Sequence, residues 1–140
     1  MPGQAGQPRL RPQVNILQNN AERSLLDAMV PDTQHYSRKM IETQLADMRR
    51  DLAGDQPSPL DALLVNRIVL CWLDSMAADT LLSQRMAAGC SLALGEFYQR
   101  RAERAQRQFL RAVQTYATVR RLLTPVLQVN VADKQINVAR

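Results

Sequence analysis

From Leu60 to Leu82 the chain is apolar on nearly every side of a helical wheel. A helix of that kind must be covered by other elements over most of its surface. Its start is written locally. Ser58 can cap it, Pro59 suits the first turn because the missing amide would be unpaired there anyway, and Asp61 stands three residues after the cap. Arg67, Asp74 and Arg85 share one narrow strip of the same helix, counting about 100° per residue. The spacing predicts a helix over 59–86, buried on most sides. The most apolar run, Leu60 to Leu73, is interrupted by Asn66 and Arg67 and falls short of the ~20 apolar residues of a membrane span. A soluble chain without a membrane partner is therefore expected.

A second long helix is predicted over about 91–123, ending before Pro125. Leu94, Tyr98, Ala102, Ala105, Phe109, Val113 and Tyr116 recur at helical spacing along it and form one apolar face. The two long helices should pack as an antiparallel hairpin. Shorter helices are expected over 21–30 and 33–52, capped by Asn20 and Asp32. The second would bury Tyr36, Met40, Ile41, Leu45, Met48 and Leu52. Gly54 breaks the chain before Ser58, and Gly89 separates the long helices, with close helix packing expected at Gly89 and Gly95. The fold class is all-α: a helical bundle built on a long antiparallel hairpin. Short β-like or disordered tails are expected at both ends, giving a tail at 1–20, a helical domain at 21–125 and an extended tail at 126–140.

Residues 1–12 hold three prolines and two glycines, a composition that cannot bury apolar surface. They also lack the apolar stretch of a signal peptide. One short repeat stands out. Gln13-Val14-Asn15-Ile16, Gln128-Val129-Asn130-Val131 and Gln135-Ile136-Asn137-Val138 all alternate polar and apolar residues, as a half-exposed strand does. These copies are expected to pair with one another, within a chain or between chains.

Composition argues against most chemistry. The chain has one histidine, His35, and two cysteines, Cys71 and Cys90, with no CxxC pair. Neither a zinc site nor a disulfide framework can be built from these, so no metal, no cofactor and a reduced, cytoplasmic setting are expected. Gly89 to Gly95 lacks the Lys-Ser/Thr of a phosphate loop. Asp74 and Asp79 point to different sides of one helix, and Asp47 and Asp51 have Arg49 and Arg50 between them. No catalytic residue, no enzyme and no small-molecule substrate are expected.

Charge is the sharper signal. Residues 1–95 carry nine basic and ten acidic side chains, whereas residues 96–140 carry nine basic and three acidic, a balance of +6. Arg100, Arg104, Arg107 and Arg111 fall within about 60° of arc at helical spacing, opposite the apolar face of the same helix. Arg101 flanks them, and Glu103 is the one acid inside the stretch. Guanidinium groups in such a row match phosphate oxygens. These five arginines form a candidate nucleic-acid site, non-specific in sequence, since no aromatic residue is interleaved with the row.

The segment from Glu96 to Val138, with Gln99-Arg100-Arg101, Arg120-Arg121-Leu122-Leu123, Pro125 and Gln128-Val129-Asn130-Val131, resembles the C-terminal part of small uncharacterised helical proteins of bacteria. That resemblance covers about a third of the chain and implies no activity. Small terminase subunits of phages are a looser, fold-level analogy: short, helical, oligomeric and DNA-associated. Two functions follow as expectations. The first is a non-enzymatic helical assembly protein that forms homo-oligomers, because a helix apolar all round, with Trp72 in it, asks for more cover than three neighbours supply. The second is a DNA-associated accessory protein of phage or mobile-element type, holding phosphates through the arginine row.

Overall fold

The computed structural model describes residues 12–31 and 33–123. They form four helices: α1 (Pro12–Met29), α2 (His35–Ala53), α3 (Pro59–Ala88) and α4 (Leu92–Leu123). No strand occurs among the described residues. The fold is an all-α bundle in which α3 is central, with α4, α1 and α2 each packed on it.

The start of α3 follows its sequence signals. The Ser58 hydroxyl accepts a hydrogen bond from the Asp61 amide at 3.1 Å, and the Asp61 carboxylate accepts from the Ser58 amide at 3.0 Å. Both bonds satisfy amides that have no partner inside the helix. Two glycines end helices. Gly54 follows α2 with φ 73° and ψ −170°, and Gly89 follows α3 with φ 76°. Side chains other than hydrogen are strained at those angles. Ser91 then opens α4, its hydroxyl accepting from the Leu94 amide at 3.3 Å. Gly95 has no such constraint, because an added Cβ would meet Cys90 Sγ and Met86 Sδ at 3.6 Å, ordinary contact. The close approach of α3 to α4 is made by Ala78, Ala102 and Ala105 instead.

The main core joins all four helices. Leu26, Leu45, Val65, Ile68, Val69, Leu73 and Tyr116 form it, with half-buried Trp72 packed against them. Three neighbours thus bury α3 from Val65 to Ala78 on almost all sides. Cover is poorer toward the start of the helix, where Leu60 and Leu63 stay 46% and 40% exposed. Polar ties hold the outer helices. Arg49 of α2 donates to Asn66 of α3 at 2.9 Å and pairs with Glu22 of α1, and Arg38 pairs with Asp27 at 2.6 Å.

Several boundaries differ from expectation. Helix α1 begins at Pro12, not at Ala21, so Asn19 and Asn20 are helical rather than capping. Proline at the first helical position presets φ and lacks an amide that would be orphaned there. The first repeat copy, residues 13–16, accordingly lies in a helix and not in a strand. Alternation over four residues is too short to impose a strand when local i to i−4 bonds are available. Helix α2 begins at His35 behind Gln34, which makes no side-chain cap. Asp32, the N-terminal residues 1–11 and both later repeat copies lie outside the described residues. On α2, Leu45 is buried and Ile41, Met48 and Leu52 pack beside it, but Tyr36 and Met40 are exposed. Met40 and Ile41 are about 100° apart on the wheel, so one face cannot hold both.

Candidate nucleic-acid interface

Helix α4 has seven arginines against two glutamates. Its inner side is set by Ala102, Ala105 and Tyr116, all buried. Arg100, Arg104, Arg107 and Arg111 are exposed, on the side away from these residues. Leu94 and Val113, expected inside, stay 40% and 38% exposed. The smaller core beside Leu94 contains α3 and α4 residues alone.

The arginines differ in their partners. Arg100 lies 3.3 Å from Glu96, and Arg107 lies 3.8 Å from Glu103, both one turn away along α4. Arg101 reaches across to Asp74 of α3 at 3.6 Å. Arg104 and Arg111 have no carboxylate partner among the described residues. Exposed pairs one turn apart are worth ~0.3–0.5 kcal/mol, far less than a guanidinium–phosphate contact at low salt.

Three arginines of the row, Arg100, Arg104 and Arg111, border cavities that the sequence did not announce, and Arg107 borders neither. A cavity of about 540 Å³ is lined by Asp74, Phe97, Arg100, Arg101, Arg104 and Gln108. A second, of about 250 Å³, takes in Arg67, Gln108, Arg111 and Thr115. Gln108 borders both, and each takes residues from α3 and α4. Arg67 therefore joins the site from α3, through the strip that also carries Asp74. Phe97, which lines the larger cavity, is 57% exposed. It lies one turn before Arg100 and Arg101, outside the span in which the row was read. Tyr98 packs against Phe97 at right angles, with ring centroids 5.4 Å apart, and the Arg85 guanidinium sits 5.8 Å from the Tyr98 centroid.

Other candidate chemistry stays apart. His35 is exposed at the first turn of α2. Cys71 is buried, and burial pushes its thiol up from the ordinary value, which disfavours the reactive thiolate. Asp47 and Asp51 both flank Arg50. Among the described residues, no three His, Cys, Asp or Glu side chains gather where a metal ion could be held. No described helix is long and apolar enough to cross a membrane. No family model, curated protein or solved structure matches the chain.

Proposed function

We propose that this protein is a non-enzymatic nucleic-acid accessory protein that holds phosphate backbones along the outer face of α4. One observation carries this: four exposed arginines in a row, two of them without an acidic partner among the described residues, beside cavities that add Arg67 and Arg101. Arg100 and Arg107 pair with glutamates one turn away, as on an ordinary solvated face, whereas Arg104 and Arg111 add charge that no described carboxylate offsets. Contacts of this kind position a polyanion without reading its sequence.

The test is affinity for duplex DNA and for heparin as a function of salt. Four phosphate contacts give a log–log slope of roughly −3 to −4 on duplex DNA. Substituting Arg104→Ala and Arg111→Ala together should flatten it by about 2 and weaken unrelated sequences equally. Absent binding at low salt, or an unchanged slope, would remove the proposal.

A second reading is self-association, and a different surface favours it. Helices α1 and α2 contribute to the main core but not to the smaller one, and the α3–α4 end of the bundle is left apolar. Met86, Leu92 and Phe97 are 60%, 82% and 57% exposed there. Leu82, Met86, Cys90 and Leu92 line a cavity of about 450 Å³ on that end. Exposed apolar surface of this sort marks interfaces. Oligomers would also multiply the arginine rows presented to one polyanion.

A further inference from the structure

We infer that the seam between α3 and α4 is a binding groove for single-stranded nucleic acid, with Phe97 as the surface on which a base stacks. This rests on the polyanion reading above and adds the kind of strand and the contact to its bases. Three observations support it. Arginines border two cavities on one flank of α4, with Arg100, Arg101 and Arg104 on one and Arg67 and Arg111 on the next, while Arg107 of the row lines neither. Gln108 lines both cavities, and from Phe97 to Arg111 they border about 21 Å of α4 at the helical rise. That length holds about six nucleotides stacked at ~3.4 Å, and fewer in an extended strand. Finally, an aromatic ring that would gain by being buried is left mostly exposed where the charged seam ends.

The combination distinguishes a single strand from a duplex. The major groove of B-DNA, about 12 Å wide, admits one helix. Helix α4 lies against α3 along the seam, so a duplex can reach only the outer arginines and its bases stay stacked away from Phe97. An unpaired strand can enter the seam, set its phosphates against Arg101, Arg104 and Arg111, and turn a base onto Phe97. Every base has a π face, so such a platform tolerates any sequence. Tyr98 packs edge-wise against Phe97 and itself lies under Arg85. Asp74 is the one carboxylate lining the seam, and Arg101 offsets its charge at 3.6 Å.

The experiment measures binding of the full chain to a fluorescent 12-nucleotide DNA strand, the same strand with abasic sites throughout, an RNA strand of the same sequence, a duplex and heparin. The intact strands should bind at least about fivefold more tightly than the abasic strand, the ratio to which ~1 kcal/mol of stacking corresponds. Phe97→Leu keeps apolar bulk but has no π face. It should abolish that difference while leaving abasic-strand, duplex and heparin binding unchanged, and Phe97→Tyr should retain it. RNA and DNA are expected to behave alike, since nothing in the seam is dedicated to a 2′-hydroxyl. Equal binding of intact and abasic strands, or a Phe97→Leu variant that binds both as the parent does, overturns this inference and leaves the polyanion reading standing. Loss of nothing in Arg104→Ala/Arg111→Ala overturns both. An oligomer that dissociates in Phe97→Leu, with strand binding intact, assigns Phe97 to a second copy of the chain instead.

Discussion

The Tyr116 hydroxyl donates to the backbone carbonyl of Leu52 at 2.6 Å, across 64 residues of sequence. Leu52 is in the last turn of α2, which ends at Ala53. Its carbonyl has no partner inside the helix. Tyr116 thus caps α2 from α4 while its ring fills the main core. Removing the hydroxyl alone should be costly because the carbonyl stays where it is. Tyr116→Phe is expected to destabilise the fold by about 1–2 kcal/mol, read as a lower urea midpoint at an unchanged slope. A midpoint equal to the parent's would mean that water replaces the bond without loss.

The capping box at Ser58 and Asp61 gives a pH-dependent prediction. The Asp61 carboxyl is held below its ordinary value of 3.8, first by the Ser58 hydroxyl, then by the Ser58 amide, with Arg120 adding attraction and burial opposing. A carboxyl depressed in the folded state stabilises it above the ordinary value, and this part is lost as pH falls through the lower folded value. Asp61→Asn should therefore melt below the parent at neutral pH, and the gap should narrow below about pH 4. A gap that stays constant down to about pH 2 would show that only shape and hydrogen bonding matter at this position.

Ser58→Ala removes the other half of the box. The Asp61 amide then loses its acceptor at the start of the central helix. The expected cost is about 1 kcal/mol, measurable by thermal or urea unfolding. Ser58→Asp, which keeps an acceptor at the cap, should recover much of it, less what repulsion from Asp61 takes.

Gly54 and Gly89 both have open space where a side chain would go. Any cost of substitution is thus purely conformational. Gly54 has an extended ψ with positive φ, a region used almost only by glycine, so Gly54→Ala should cost on the order of 1–3 kcal/mol. Gly95→Ala, in helical backbone with ordinary contacts, should be neutral or stabilising by up to about 1 kcal/mol. Equal effects at the two positions would contradict this assignment of backbone strain.

If chains associate through the apolar end of the hairpin, Met86→Ser with Leu92→Ser should shift sedimentation toward the monomer. Both side chains are mostly exposed, so the melting temperature of the monomer should hardly move. Unchanged sedimentation would exclude that end as the contact.

How much was legible depends on the range of the interaction. The frame of α3, its Ser58 cap and its glycine stop are local. They involve residues within one turn of each other, and the sequence alone determined them. The arc of Arg100, Arg104, Arg107 and Arg111 is equally local, because a helix converts spacing directly into direction. The start of α1 was local too, but two signals competed, and Pro12 prevailed over Asn20. What the tertiary structure decided is which surfaces meet. Only the placement of α1 and α2 beside α4 on one helix covers Val65 to Ala78 and leaves Met86, Leu92 and Phe97 bare. Only the lateral fit of α3 against α4 brings Arg67 and Asp74 to the arginine row. It also brings Tyr116 to the carbonyl of Leu52. The packing of side chains from distant segments sets these relationships, and the periodicity of any one segment contains no record of its partner.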